Sequence, residues 1–295
     1  MDTAIPTHIS PGELAARIGA PNAPLLLDVR RHARFADSTH LLATAQWCAP
    51  DALASLAPGD PPSEVVVYCV HGHEVSQQAA ATLRQAGWNA RFLAGGIDGG
   101  EPGVDTPQDI AEWRALRPPV IRKRPDLGAD GVHTSVWITR ERPKIDRIAC
   151  PWLVRRLIDP RATFLYAPTA SVLAEAARRG AVAFDLPGAP ISHDGELCSF
   201  DTLLGAFDLQ DDPALAALAR IVRAADTDRL ELAPPAAGLL ALSLGLSALH
   251  ATDDLAMLEA AMPMYDALFA WCRQAVAGQT EHHNWTPEAM KVTQP

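Results

Sequence analysis

Glu64-Val65-Val66-Val67-Tyr68-Cys69-Val70-His71-Gly72-His73-Glu74 joins an apolar run of strand length to a short polar turn containing one glycine. Beyond it, residues 76–86 place Ala79, Ala80 and Leu83 at helical spacing and end at Gly87, a natural helix stop. A β-branched run without polar alternation suits a strand covered on both faces of a parallel sheet. The sequence therefore predicts a strand, a turn holding Cys69, and a helix. Leu25-Leu26-Leu27-Asp28-Val29 reads as a second such strand and residues 90–93 as a third, ahead of Gly95-Gly96. Residues 11–18 read as a helix that opens on Pro11 with Ser10 as its N-cap. Strands and helices in alternation predict an α/β layer fold with a parallel sheet.

The turn has chemical meaning. Backbone N–H groups at a strand-to-helix turn point inward, and the helix adds its positive N-terminal end. A thiolate is stabilised there, and the same cradle holds a persulfide or a tetrahedral oxyanion. Gly72 permits the tight reversal. On residue type alone, a buried structural cysteine at a strand end explains Cys69 equally well.

The rest of the chain bounds the answer. Its 295 residues suggest about two domains, and 48% hydrophobic with 20% charged residues is ordinary globular composition. A net charge of -10 argues against nucleic acid as a partner, because neutralising phosphates takes clustered Lys and Arg. Arg122-Lys123-Arg124 is a short basic cluster that reads as a solvated connector. The five cysteines, Cys48, Cys69, Cys150, Cys198 and Cys272, are odd in number and form no CxxC pair, so free thiols in a reducing, cytoplasmic setting are expected. No basic start followed by an apolar run is seen at the N-terminus. The uncharged stretch 232–249 is broken by Pro234, Pro235, Gly238 and Gly245 and reads as a buried helix, so no membrane partner is expected.

Proline, glycine and charge crowd residues 114–133, which suggests a domain at 1–115, a linker at 116–133 with few buried contacts, a second domain at 134–279 and a flexible tail at 280–295 carrying His282 and His283. The second domain reads as a strand at 136–139 and helices at 151–158, 213–225, 236–249 and 255–276, a mostly α-helical α+β unit. Pro151 fits a first helical turn, with Asp146 and Arg147 just before it, and Pro263 should kink or start the last helix. His193 and Cys198 flank Gly195, which permits a tight reversal between them. With Asp226, and with Asp146 or Glu196 nearby, they suggest a site for a divalent, zinc-like metal. A hydrogen-bonded His and a buried Cys explain the same residues without metal.

Residues 8–100 resemble the rhodanese family. Leu27-Asp28-Val29-Arg30 matches its early strand motif, His40-Leu41-Leu42-Ala43-Thr44-Ala45 the following segment, Cys69-x-x-Gly72 its active loop, and Ala79-Ala80, Leu83, Gly87, Leu93 and Gly95-Gly96 the helix and strand after it. The resemblance implies a sulfurtransferase with Cys69 as persulfide carrier, Val70, His71, Gly72, His73 and Glu74 as its loop, and Asp28 and Arg30 in support. A sulfur donor or acceptor protein or a small thiol is then the partner. Glu74 stands where the family commonly has Arg or Lys, which should repel thiosulfate, and Gly100 stands where Trp is common.

Residues 136–273 resemble the C-terminal domain of the chromate-resistance protein B family. The matching stretches are Asp146-Arg147-Ile148-Ala149 with Trp152-Leu153, Ile158-Asp159-Pro160, His193 through Cys198-Ser199-Phe200, Ile221-Val222 with Asp226, and Tyr265-Asp266-Ala267-Leu268. Arg223-Ala224-Ala225-Asp226 departs from the His-Asp-Ile-Asp of related sequences and keeps only its last Asp. The resemblance implies a part in chromate tolerance, with chromate as a potential ligand and His193, Cys198, Asp226, Asp146, Arg147 and Glu196 as site residues. Joined, the halves suggest thiol or sulfane-sulfur chemistry coupled to metal or oxyanion handling. A dedicated sulfurtransferase with a partner-recruiting second domain, and a non-enzymatic redox or chromate sensor, are the alternatives.

Overall fold

The computed structural model describes residues 7–56, 58 and 64–279, so the tail expected at 280–295 and its two histidines lie outside the described residues. The first half opens with β1 (His8–Ile9), α1 (Pro11–Arg17), β2 (Leu25–Asp28), α2 (His32–Asp37), β3 (His40–Leu42) and β4 (Gln46–Trp47). It continues with β5 (Glu64–Tyr68), α3 (Glu74–Gln85), β6 (Asn89–Leu93) and α4 (Pro107–Leu116). The strands form a wholly parallel sheet in the order β1-β6-β5-β2-β4. Its faces follow the period-two rule for strands. Leu27, Val65 and Val67 meet Ala79, Ala80 and Leu83 of α3, while Leu26, Val66 and Tyr68 face the main core. Ser10 caps α1 through the Glu13 N–H at 3.2 Å, as the sequence predicts.

The segment expected as a loose linker is built into the fold. After α4, β7 (Val120–Arg122) pairs antiparallel with β3, and Ile121, Leu127 and Ala129 are buried. The reason is hydrogen-bond satisfaction: Ala43 N–H donates to Pro119 O at 2.8 Å, and Trp47 N–H to Gly131 O at 2.7 Å. The basic cluster is paired within the fold, although Arg122 stays exposed. Arg122 pairs with Asp208 at 2.9 Å, Arg124 with Asp126 at 2.6 Å, and Lys123 lies over the Phe35 ring. One buried apolar cluster runs without a break from Ile9 through Leu42 and Ile121 to Trp152 and Cys272.

The second half contains β8 (Val136–Arg140), α5 (Asp146–Leu153), β9 (Thr163–Ala167), α6 (Val172–Arg179), β10 (Val182–Ala183), α7 (Ser199–Ala206), α8 (Pro213–Asp226), α9 (Ala236–Leu249) and α10 (Asp254–Val276). β8, β9 and β10 form a second parallel sheet in the order β10-β8-β9. Three expectations change here. The helix expected from Pro151 begins at Asp146, so Asp146 and Arg147 lie in its first turn and Pro151 inside it. Past Pro151, which lacks an N–H for the helical ladder, the chain widens to a π-helix over Val154–Ile158. α9 is not a buried helix. It sets Ser243 and Ser247 inward and leaves Leu242, Leu244 and Leu249 exposed, because small side chains let it lie close on its neighbours. α10 runs through Pro263 as one helix.

Between α1 and the sheet, Glu64 accepts both guanidinium nitrogens of Arg17, at 2.8 and 2.6 Å, and Arg91 Nη2 at 2.5 Å. The Arg17 hydrogen bonds lead in holding its carboxyl down at about 2, with burial opposing and Arg91 adding to the effect. A depressed carboxyl stabilises above its unfolded value and loses that contribution as pH falls. Glu64→Gln should therefore lower unfolding free energy by about 1–3 kcal/mol at neutral pH. The gap to the wild type should close as urea melts are taken from pH ~4.5 towards ~2.

Candidate functional site

Cys69 follows the last residue of β5, with its side chain on the α3 face and largely buried. Its Sγ lies 3.2 Å from Ser76 Oγ, which in turn donates to His73 O at 3.2 Å. The segment after β6 threads against the loop: Ile97 N–H donates to Cys69 O at 3.1 Å and Asp98 N–H to Val70 O at 3.0 Å. Among the described residues, the N–H groups of Val70, His71, Gly72 and His73 find no acceptor, and the first turn of α3 follows directly. The loop carbonyls are thus tied down while its donors remain available for an anion. Gly72 has φ +79°, and a Cβ there would come within 2.7 Å of Gly95 N and Leu93 O. Only glycine closes this turn.

The remaining loop residues are distributed around the turn. Val70 is half-buried, and Glu74 is the exposed first residue of α3. His71 Nδ1 bonds Gly100 O at 3.0 Å. His73 Nε2 bonds Asp105 Oδ2 at 2.8 Å, and its Nδ1 lies 3.6 Å from Glu101. Asp28 and Arg30 do not touch Cys69. They form a buried forked pair, capped by Tyr68 OH at 3.0 Å from Asp28 Oδ2, on the opposite face of the sheet. The aromatic that Gly100 fails to provide arrives from α4: Trp113 packs on Gly95 and Gly99 and donates to Gly96 O at 3.0 Å. A Cβ at Gly100 would lie 2.9 Å from Asp105, which leaves no room for tryptophan there. The roles of Ser76, Asp105 and Trp113 are not visible in sequence, since each depends on where a distant segment returns.

The second site is built around Asp146. Ile145 precedes it at φ +42°, a strained conformation for a β-branched residue. It is held by Ser243 Oγ at 3.2 Å from its N–H and by Tyr265 OH donating to its carbonyl at 2.7 Å. The buried Asp146 carboxylate accepts the Ser199 and Phe200 N–H groups at 2.8 and 2.9 Å, at the start of α7. His193 Nε2 lies 3.5 Å from Asp146, 3.4 Å from Asp185 and 3.2 Å from Asp226. Arg140 and Arg147 close on Asp185 at 2.7 and 3.3 Å.

The expected ligand set is therefore rearranged. His193, Asp226 and Asp146 converge with Asp185, which sequence reasoning missed because nothing around Phe184-Asp185-Leu186 marks it. Cys198 is fully buried and caps α7, its N–H donating to Asp201 at 3.0 Å, and burial above all holds its thiol well up and protonated. Glu196 is exposed and faces Arg229 at 3.4 Å. The hydrogen bond to Asp146 leads in raising His193 to about 9, against its own burial, with all three carboxylates adding to the rise. Burial chiefly, then Asp146 and Asp185, push the Asp226 carboxyl up.

Comparison with known proteins gives both halves a family. A model of the rhodanese-like domain matches residues 10–101, and a model of the ChrB C-terminal domain matches residues 137–272. The chain joins a rhodanese-like domain to a ChrB C-terminal domain. Protein ChrB of Cupriavidus metallidurans is 35% identical over 133 residues, 45% of this chain and 39% of that protein, so well under half of the relative's length is matched. A rhodanese homologue of Thermus thermophilus is 27% identical over 31% of this chain and 98% of its own, with a TM-score of 0.25. A thiosulfate sulfurtransferase of Pseudomonas aeruginosa is 21% identical over 38% of this chain and 19% of its own, with a TM-score of 0.28. The Cys69 loop lies in the rhodanese-like domain, and the Asp146 cluster in the ChrB C-terminal domain.

Within the ChrB C-terminal domain, Asp146 ties α5 to the start of α7. Asp146→Ala strands two buried N–H groups, and should cost about 3–5 kcal/mol in urea melts. Glu196→Ala, at the exposed position, should change stability by less than about 0.5 kcal/mol.

Proposed function

We propose that Cys69 carries sulfane sulfur, and that the ChrB C-terminal domain holds a metal cation at the Asp146 cluster, the two together serving chromate tolerance in the cytoplasm. The observation that carries the first part is the loop itself. Cys69 sits at the strand end with Ser76 Oγ at 3.2 Å, ahead of four consecutive N–H groups without acceptors among the described residues. In the transfer step the Cys69 thiolate attacks the outer sulfur of a donor persulfide. The donor S–S bond breaks, the donor leaves as a thiolate, and Cys69 keeps the sulfur as a persulfide. The loop donors and the N-terminal end of α3 stabilise the charge.

Glu74 at the first position of α3 supports a protein or thiol donor over free thiosulfate. After incubation with glutathione persulfide, mass spectrometry should find one added sulfur on Cys69, and Cys69→Ala should take up none in that peptide. Absence of sulfur on Cys69 in the wild type would leave the sensor reading in place. Glu74→Arg should raise the rate with thiosulfate on the order of tenfold, by turning repulsion into attraction at the loop. An unchanged rate in a folded variant would refute this account of Glu74.

The second part rests on donor spacing. Two ligands about 2.1 Å from one ion at a tetrahedral angle lie about 3.4 Å apart, and His193 Nε2 stands 3.2–3.5 Å from the three carboxylates. Asp146, Asp185 and His193 offer ligand atoms within 4.8 Å of one another, an oxygen-rich set suited to manganese or zinc, with trivalent chromium as the chromate-derived alternative. Calorimetric titration with manganese or zinc should give one site per chain that Asp185→Asn abolishes and Cys198→Ser leaves intact. Stoichiometric binding lost in Cys198→Ser instead would place the metal elsewhere.

A further inference from the structure

We propose that the face around Cys69 docks a cationic polypeptide segment, one that presents its persulfide cysteine among lysine or arginine residues with an apolar side chain beside it. This rests on Cys69 as sulfur carrier and names the class of its partner. The two segments that meet at the loop, residues 69–76 and 94–106, contain no Lys or Arg and four carboxylates, Glu74, Asp98, Glu101 and Asp105. Folding brings them to one rim. Asp98 is exposed, and its N–H is bonded to Val70 O, one residue from the nucleophile. Glu74 is exposed across the turn.

The third side of the rim is a small rigid finger. Val104 and Asp105 N–H groups donate to Glu101 O at 3.0 and 2.9 Å, and Asp105 Oδ2 accepts the Glu101 N–H at 2.6 Å. The same Asp105 oxygen holds His73, which ties the finger to the active loop. At its tip Val104 is 67% exposed, the most exposed of the large apolar side chains among the described residues of this half. Of the side chains near the acid, His71 is bonded to Gly100 O, His73 is shared by Asp105 and Glu101, and the buried Arg30 is within coulombic reach of Asp98, which leaves Glu74 and Asp98 as the exposed carboxylates of the rim.

An acidic rim around an apolar tip is the complement of a basic segment with an apolar residue. Such a rim steers cations in and anions away, most strongly at low salt. The anchored turn offers a preformed contact, so ordering it adds no cost on binding. The reaction on this face is balanced without an oxidant. The Cys69 thiol and the segment's persulfide become the Cys69 persulfide and the segment's thiol, one S–S bond breaking as another forms.

The probes are two persulfidated peptides of equal length, Lys-Lys-Cys-Leu-Lys and Glu-Glu-Cys-Leu-Glu, with neutral 2-hydroxyethyl persulfide as control and sulfur on Cys69 read by mass spectrometry. At low salt the lysine peptide should load Cys69 at least on the order of tenfold faster than the glutamate peptide, and ~0.5 M salt should shrink the gap. In the Asp98→Lys, Glu101→Lys double variant the preference should reverse, each peptide's rate being taken relative to the 2-hydroxyethyl persulfide rate of the same protein. Val104→Ser should slow only the peptides. Equal rates for the two peptides, or a preference that survives charge reversal, would overturn the docking surface while leaving Cys69 as carrier. Failure of all three donors to load Cys69 would overturn both.

Discussion

A strand that stops where a helix starts leaves backbone groups with no regular partner, and much of the first half answers that one constraint. The carbonyls of Cys69 and Val70 are taken by Ile97 and Asp98, so the donors of the next residues remain free to face an anion. That arrangement demands close backbone approach, hence Gly72 against Gly95 and Gly96, and a lid over those glycines, hence Trp113 from α4. It also fixes which charges surround the thiol, because the segment that satisfies the carbonyls carries Asp98 and leads into Glu101 and Asp105.

The second half is organised by a different expense. Asp146 is buried beside Asp185 and close to Asp226, and the three carboxyl groups share that space with cations among them and with Asp226 pushed toward its neutral form. His193, Arg140 and Arg147 supply these. Strain at Ile145 persists because Ser243 and Tyr265 grip both of its backbone groups. A metal would enter by displacing the histidine proton and sharing the carboxylates. The thiols of Cys150 and Cys198 lie beneath, pushed up by burial.

The two halves are not beads on a string. β7 pairs with β3, and Arg273 of α10 donates to Ala16 O and Ile18 O at the end of α1. One continuous apolar core joins the halves through Leu42, Ile121 and Trp152, while Cys69 sits in the separate cluster beneath α3.

The sequence by itself determined the elements whose signals are local. β5 and α3 follow from Val65-Val66-Val67 and Ala79-Ala80-Leu83, Ser10 caps α1, and α8, α9 and α10 fall within a residue of their expected ends, since periodicity and capping act over a few positions. The strand-to-helix turn that holds Cys69 and Gly72 was legible for the same reason, while the role of Cys69 came from the family resemblance. The tertiary structure alone decided the inlaid segment at 114–133, the outward face of α9, the arrival of Asp185 beside His193 and Asp146, and the acidic rim beside Cys69. Each depends on which distant segment satisfies a buried hydrogen bond or neutralises a buried charge. That choice is made by the whole core, at sequence separations where no local pattern reaches.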